Sequence, residues 1–375
     1  MLFNLIATTT FGLEAVVKRE IQALGFKILQ VSDGKITYEA DERGIVISNI
    51  YLRCADRVLI KLAEFHAYEF EDLFQGVKAI EWEKWIPKDG NFVVNCSSVR
   101  STLGSIRACQ SVAEKAVIER LSKVYSCKRF SKSGVSFPIK VSILKDFATI
   151  TLDTSGTGLH KRGYRKNAVT APIKETMAAA LVSLSFWKEG RILVDPCCGS
   201  GTIAIEAAMM GRNIAPGINR KFLIEDWKII PEKIWKEERK KAYEMIADAK
   251  FVIKASDIDP ACVEAARENA AEAGVDGDIE FVQEDIKQLR LEGENGIIIA
   301  NPPYGERIGD QKDIIEFNIG LANLARHNPT WSFFIITADK NMEKTVFKRK
   351  ADRRRKLYNG DIEVCYYQFH GEKKW

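Results

Sequence analysis

An Asn-Pro-Pro-Tyr segment in the C-terminal half of the chain carries residue types suited to chemistry on an amino group. It occupies residues 301–304 and follows the apolar run 296–300, which is typical of a buried β-strand. Asn301 and the Pro302 carbonyl can accept both N–H bonds of an amino group on a planar ring, while Tyr304 stacks on that ring. Held in this way, the nitrogen lone pair leaves conjugation and becomes a nucleophile. A purely structural turn at a strand end is the alternative.

A second segment, Asp-Pro-Cys-Cys-Gly-Ser-Gly-Thr at 195–202, connects an apolar strand pattern at 191–194 to a helical pattern at 203–210. A strand, a glycine-rich turn and a helix open a nucleotide-binding βαβ unit. The turn lacks the third glycine of a dinucleotide fingerprint and the lysine of a phosphate-binding loop. Asp195 would repel a pyrophosphate and attract the amino group of a cationic ligand.

Together, the two segments resemble motifs I and IV of class I S-adenosylmethionine-dependent amino-group methyltransferases. Two further strand patterns, at 251–254 and 279–282, end close to acidic residues. The resemblance implies that Asp257, or else the nearby Asp259, binds the ribose hydroxyls of the cofactor, and that Asp285 contacts its adenine amino group. The residues implied to surround the cofactor are Asp195, Cys197, Gly199, Gly201, Thr202, Asp257, Asp259, Asp285 and Asn301.

The N-terminal half has a finer-grained α+β pattern and sharpens the resemblance. Segments 51–59, 159–165 and 171–176 are similar to THUMP-containing RNA guanine-N2 methyltransferases, whose relatives act on large-subunit ribosomal RNA in bacteria and on transfer RNA in archaea and eukaryotes. The resemblance implies an α/β chain with a ferredoxin-like/THUMP RNA-binding half and a Rossmann-like class I methyltransferase domain with a mostly parallel sheet. The implied reaction is methylation of guanine N2 in 23S ribosomal RNA. The implied division is a ferredoxin-like segment 1–44, a THUMP domain 45–155, a linker 156–169, and a methyltransferase domain 170–375 with an insertion at 213–250.

The insertion leaves two interpretations open. It carries the aromatic residues Phe222, Trp227 and Trp235, followed by a charged helical pattern at 231–249. It is either a loop and helix on the nucleic-acid side of the domain or a peripheral helix in which Trp235 is a packing residue.

The net charge of +5 and the pI of about 8.6 are modestly basic, so the placement of the cations matters more than their number. Segment 160–166 interleaves cations with an aromatic residue, which suits phosphate contacts. A second cation lies three residues past the Asn-Pro-Pro-Tyr segment. The residues expected to contact RNA are Lys161, Arg162, Tyr164, Arg165 and Arg307. Each charged cluster could instead be a solvated face.

The composition excludes several other classes of protein. A hydrophobic content of 46% excludes wholesale disorder, and no apolar run reaches the length of a membrane span. The N-terminus lacks the features of a signal peptide. The eight cysteines show no metal-ligand spacing, so we expect no metal and a reduced cytoplasmic protein.

Several alternatives remain at this point. The Asn-Pro-Pro-Tyr corner recognises an amino group on a planar system and does not identify the polymer that carries it. A transfer RNA guanine-N2 methyltransferase, a DNA adenine-N6 methyltransferase and a protein-glutamine methyltransferase all fit it. A non-enzymatic RNA-binding assembly protein that keeps the Rossmann core as a scaffold is a further alternative. The sequence does not indicate an oligomeric state.

Overall fold

The computed structural model describes residues 1–127, 129–166, 172–303 and 311–372, which form two seven-stranded sheets with packed helices. The strands of the N-terminal sheet are β1 (Phe3–Thr8), β2 (Lys27–Ser32), β3 (Lys35–Ala40), β4 (Arg57–His66), β5 (Asn91–Val99), β6 (Ser136–Leu144) and β7 (Phe147–Asp153). The strands of the C-terminal sheet are β8 (Leu193–Asp195), β9 (Ile253–Asp257), β10 (Ile279–Gln283), β11 (Ile297–Ala300), β12 (Ser332–Thr337), β13 (Arg353–Asn359) and β14 (Ile362–Phe369). The α-helices are α1 (Glu14–Ala23), α2 (Glu42–Tyr51), α3 (Phe70–Lys78), α4 (Ile106–Tyr125), α5 (Glu175–Leu184), α6 (Thr202–Gly211), α7 (Leu223–Asp226), α8 (Glu232–Glu244), α9 (Pro260–Ala273), α10 (Gln311–His327) and α11 (Met342–Thr345).

The N-terminal sheet runs in the order β2-β3-β1-β4-β7-β6-β5, and its pairs are antiparallel except for β5 with β6. Alternate residues of β1 face the helices. Leu5 and Ala7 of β1 share a buried cluster with Val16 of α1. The period of two along a strand therefore places Ile6 and Thr8 on the opposite face. Strands from both parts of the predicted RNA-binding half join in this single sheet.

The C-terminal sheet runs in the order β10-β9-β8-β11-β12-β14-β13. Its first five strands are parallel, and β14 and β13 add an antiparallel edge. The chain proceeds outward from β8 to β10 and then returns to place β11 beside β8, so the direction of winding reverses there. Open α/β sheets bind ligands at the carboxyl ends of their strands at such a point. The predicted fold class is confirmed.

The insertion packs against the N-terminal half through α8. Trp235 is 2% exposed, and its ring stacks on Phe222 with centroids 5.7 Å apart. Arg43 of α2 binds both Glu237 and Glu238 of α8. The described contacts therefore favour the interpretation in which Trp235 is a packing residue. Through its ion pairs with Arg43, α8 also connects the insertion to the N-terminal half.

A buried ion pair holds the linker between the two halves. Arg162 Nε lies 3.2 Å from Glu206 Oε1 on α6, and the two side chains are 2% and 0% exposed. Arg162 also donates hydrogen bonds to the carbonyls of Leu159 and of Arg53, which belongs to the N-terminal half. The Tyr164 hydroxyl donates to the same Glu206. A buried pair persists only when its remaining polar atoms are also satisfied, and here these contacts join Arg162 to both halves of the chain.

We predict that Arg162→Met destabilises the protein by about 3–5 kcal/mol, because it leaves the Glu206 carboxylate buried without its cation. The neighbouring Lys161 is exposed, so Lys161→Met serves as the matched control and should change stability by less than about 0.5 kcal/mol. Urea and thermal unfolding of both variants would measure the difference. Equal stability of the two variants would contradict the role given to the ion pair.

Candidate active site

A cleft of about 880 Å³ opens at the carboxyl ends of β8, β9, β10 and β11. The residues predicted from the sequence that line it are Asp195, Cys197, Gly199, Thr202, Asp257, Asp259, Asp285 and Asn301. Gly201 lies in the same turn, next to Thr202. The fold therefore brings together residues that four separate strand ends supply.

The glycine turn after β8 has a backbone that favours glycine at two positions. Gly199 and Gly201 have φ values of +52° and +79°. A Cβ atom on Gly201 would lie 2.9 Å from the Cβ of Ala266 on α9, which is closer than carbon atoms pack. The Gly199 amide donates a 2.9 Å hydrogen bond to Asp257 Oδ2. The turn thus fixes the Asp257 carboxylate and starts α6 at the wall of the cleft.

Asp195 and Asp257 are acids whose surroundings disfavour their charged forms. Burial, reinforced by the nearby Asp257 carboxylate, raises the pKa of Asp195 to about 8. One oxygen of Asp195 accepts from the Cys197 amide at 3.3 Å, and the other has no hydrogen-bond partner among the described residues. Burial also raises the pKa of Asp257, although the backbone amides of Asp259 and Gly199 donate to it. Among the described residues, neither acid forms an ion pair with a cation, and Asp195 also lacks a donor to its second oxygen, so a ligand could supply both.

Asn301 reaches the same cleft from the end of β11. The register that pairs Val194 with Ile298 sets the tips of β8 and β11 side by side. The Asn301 Oδ1 atom is buried and has no hydrogen-bond partner among the described residues, and the adjacent Pro302 is buried. A buried acceptor without a donor costs about 1–3 kcal/mol, so this oxygen is suited to receive an N–H group from a ligand. Tyr304, predicted to stack on a base, lies outside the described residues.

The other two predicted acids lie at the rim and are engaged locally. Asp259 accepts from the Ala261 amide at 2.9 Å and caps the N-terminus of α9. Asp285 accepts from the Lys287 amide at 2.9 Å, and its second oxygen lies 3.2 Å from Lys287 Nζ. Both line the cleft, but Asp257 lies closer to the glycine turn, through its bond to Gly199.

The structure corrects part of the predicted RNA contact set. Arg162 and Tyr164 are buried and bound to Glu206, so they are committed to the domain interface and are not available to a phosphate. Arg165 also turns inward and donates to Thr202 Oγ1 at 2.9 Å. The alternation of cations with tyrosine suggested phosphate contacts, whereas the acid that binds them lies far away in sequence, on α6. Lys161 is exposed and remains a candidate, and Arg307 lies outside the described residues.

Sequence reasoning missed the apolar side of the cleft. Ile173, Ile258 and Phe317 also line it. Apolar walls with a few convergent polar groups are typical of sites for planar ligands. Phe317 lies in an ordinary amphipathic helical pattern, so nothing in its sequence neighbourhood distinguishes it from a core residue.

The cysteines near the cleft are not activated nucleophiles. Burial raises the pKa of the Cys197 and Cys198 thiols well above the usual range, which disfavours the reactive thiolate. All eight cysteines are free.

In the described part of the chain, no three His, Cys, Asp or Glu residues are grouped to hold a metal ion. None of the helices described has the length and apolar character to cross a membrane.

The fold and cleft are those of a class I methyltransferase with an additional N-terminal α+β half. Residues 162–368 match the RMKL-like methyltransferase domain family, residues 4–59 match the RlmL ferredoxin-like domain, and residues 67–153 match the THUMP domain. The Bacillus subtilis (strain 168) protein named "Putative RNA methyltransferase YpsC" is 45% identical over 371 residues, which cover 98% of this chain and 96% of that protein. The chain therefore belongs to the THUMP-containing methyltransferase family with an RMKL-like catalytic domain, which confirms the resemblance seen in the sequence.

Solved structures agree over the whole chain. A "possible methylase" from Clostridium difficile 630 is 45% identical, with a TM-score of 0.95 and complete coverage of both chains. A "predicted N6-adenine-specific DNA methylase" from Listeria monocytogenes str. 4b F2365 is 42% identical, with a TM-score of 0.93 over 99% of this chain and 97% of that one. SMU.472, described as "a putative methyltransferase complexed with SAH", is 41% identical, with a TM-score of 0.92 over 100% of this chain and 99% of that one.

We predict that Asp195→Asn stabilises the ligand-free protein, and more so at pH 8 than at pH 5. The folded chain keeps a proton on Asp195 up to about pH 8, whereas the unfolded chain loses it near 3.8. Raising the pH between these values therefore favours unfolding of the wild type, and the asparagine variant escapes that loss. Thermal unfolding at both pH values would measure it.

The exposed Asp259 provides the control, because asparagine caps a helix as well as aspartate does. Asp259→Asn should show no stabilisation that grows with pH. A gain for Asp195→Asn that is the same at pH 5 and pH 8 would contradict the buried-acid interpretation.

Proposed function

We propose that this protein transfers the methyl group of S-adenosylmethionine to the exocyclic amino group of a base in structured RNA, with guanine N2 of 23S ribosomal RNA as the target. The observation that carries the proposal is that one cleft holds a buried Asn301 oxygen and a buried Asp195 oxygen, neither of which has a hydrogen-bond partner among the described residues. The Asn301 oxygen can accept an N–H from an amino group, and the Asp195 oxygen can bind a cationic group. The proposed domain division, at residues 44, 155 and 169, and the cytoplasmic location are part of the same proposal.

The residues of the cleft fit the cofactor. The cationic amino group of its methionine end suits Asp195, whose second oxygen lacks a donor among the described residues. Its ribose hydroxyls suit Asp257, which Gly199 holds at the tip of β9. The 41% identical SMU.472 was crystallised with SAH, which supports the same use here. When bound, the cofactor supplies a methyl group on a positively charged sulfur.

The chain's own contribution to catalysis is alignment. Asn301 Oδ1 and the Pro302 carbonyl accept the two N–H bonds of the target amine and turn its lone pair toward the methyl donor. Positioning of two reactants can supply about 7–11 kcal/mol of a barrier. A strong general base is not required, because the proton can leave after the new N–C bond has formed. Phe317 and Ile173 supply apolar contacts in the cleft.

Methylation of adenine N6 in DNA is the second candidate. It is favoured by the name of the 42% identical Listeria monocytogenes structure, and the Asn301 corner accepts an amino group from either base. The THUMP match over 67–153 and the name of the Bacillus subtilis relative support RNA. Of the two, RNA is the polymer we propose, and transfer RNA is the nearest alternative within it.

We predict that Asn301→Ala lowers the rate of methyl transfer about 10²–10³-fold, as loss of one preorganised hydrogen-bonding group in a catalytic site does. Its affinity for S-adenosylmethionine should stay within severalfold of the wild type by calorimetric titration. The exposed Asn323 on α10 provides the control, because Asn323→Ala removes the same amide far from the strand tip. Full activity of Asn301→Ala would refute the assigned role.

The substrate itself is tested with tritiated S-adenosylmethionine and nucleic acids from cells that lack the protein. Nucleoside mass spectrometry of the labelled ribosomal RNA, transfer RNA and DNA identifies the base. Label in N2-methylguanosine of the large-subunit RNA is the expected result. Label in N6-methyladenine of DNA would establish the second candidate instead.

A further inference from the structure

A groove of about 260 Å³ lies on the face of the N-terminal sheet that points away from the helices. Six of the seven strands supply its wall, and β2 is the exception among the lining residues described. Its polar lining residues include Thr8, Lys35, Asn95, Ser142, Thr149 and Thr151. None of the described lining residues is aromatic, so they offer no ring on which a base could stack.

The groove exists because the sheet is strongly curled. Lys35 lies on β3 and Ser142 on β6, and three strands stand between them in the sheet order. Four strand spacings of about 4.8 Å would separate the two strands by about 19 Å in a flat sheet. Lys35 Nζ nevertheless donates a 2.9 Å hydrogen bond to Ser142 Oγ. The face is therefore concave, and the lysine ammonium lies inside a trough.

Lys35 forms no ion pair with a carboxylate of the described residues. Within the described ranges, no acidic oxygen lies at ion-pair distance from its ammonium group, and the nearby Glu64 is bound by Lys61 and by the Thr149 hydroxyl. Burial lowers the pKa of Lys35, because the trough partly removes the ammonium group from water. One N–H of Lys35 is used by Ser142, which leaves two donors.

The charges beside Lys35 leave the groove positive. Asp153 is buried between two cations, Lys140 at 3.1 Å and Arg57. Two carboxylates, those of Asp153 and Glu64, thus face four cations, which include Lys61 and Lys35. A positive concave surface lined with hydroxyl groups suits an anion that accepts several hydrogen bonds, such as a phosphate diester.

The groove borders the cleft through a short chain of contacts. Lys35 pairs in register with Thr8, and Thr8 pairs with Arg57, so all three lie at one end of the sheet. The residue before Arg57 is Asp56, which accepts a 2.9 Å hydrogen bond from Thr176 of α5. The residues just before α5 line the cleft. A nucleic acid strand in the groove would therefore lie beside the methyltransferase half.

We propose that this groove binds a backbone phosphate of the RNA substrate, with the Lys35 ammonium as the cation and the surrounding hydroxyl groups as further donors. The proposal rests on the proposed function and locates one point at which the RNA is held. At about 260 Å³ the groove is far smaller than a duplex, so a single strand is the form of RNA assigned to it. Contacts of this kind position an RNA without reading its sequence.

The test is binding of a fluorescein-labelled single-stranded RNA of 12 nucleotides, measured by anisotropy over a range of salt concentrations. Loss of one phosphate contact reduces the slope of log affinity against log salt concentration by about 0.7 in magnitude. The ratio of wild-type to variant affinity is then about fivefold larger at 0.1 M salt than at 1 M salt. We expect this loss for Lys35→Gln. Lys27→Gln provides the matched control, because Lys27 is an exposed lysine on the neighbouring β2.

Two further variants separate charge from structure. Ser142→Ala removes the partner of Lys35 but keeps the cation, so it should keep the wild-type salt slope. Lys35→Arg should restore the slope that Lys35→Gln loses. An unchanged slope for Lys35→Gln, or an equal loss for Lys27→Gln, would overturn the proposal, as would a wild-type protein that does not bind the RNA.

Calorimetric titration with S-adenosylmethionine distinguishes this proposal from the proposed function. Lys35→Gln should bind the cofactor as the wild type does, because the groove lies outside the cleft. If the wild type fails to bind S-adenosylmethionine, the proposed function fails, while the RNA result still decides whether the groove binds phosphate.

Discussion

The pairing of β8 with β11 is the constraint on which the site depends. These strands are far apart in sequence, yet their register sets Val194 beside Ile298 and so places Asp195 and Asn301 at neighbouring tips. All four residues of β11 are buried, so both faces of the strand pack inside the core. The cleft is thus positioned by core packing, and its loops only complete it.

Both key polar groups of the cleft are held in states that cost stability. Asp195 is buried with its pKa raised to about 8, and Asn301 keeps a buried oxygen without a donor among the described residues. Unsatisfied buried groups cost about 1–3 kcal/mol each, and they persist where a ligand satisfies them. The glycine turn adds a backbone that few other residues adopt, with Gly201 pressed against Ala266. Such a cluster is better explained by ligand binding than by folding.

The sequence predicted these strand-end groups because their chemistry is local: a strand pattern, a turn and a polar residue stand next to one another. It did not predict that Arg162 and Tyr164 are buried, because their burial depends on Glu206, which comes much later in the chain. The apolar wall at Phe317 was missed for a related reason, since an apolar residue in an amphipathic helix looks the same whether it faces a core or a ligand. Local chemistry was thus predictable, and contacts between distant segments were not.

The same distant contacts decide how the two halves can work together. Arg162 bonds at once to Glu206 beside the cleft and to the carbonyl of Arg53 in the N-terminal half, while α8 ties α2 to the methyltransferase half through Arg43. A flexible linker would allow RNA held by the N-terminal half to approach the cleft at many distances. A buried ion pair removes that freedom, because separating the halves would expose or isolate its charges. The distance from the N-terminal half to the cleft is therefore set by these contacts. Under the proposed function, RNA held by the N-terminal half would present a base to Asn301 at that distance.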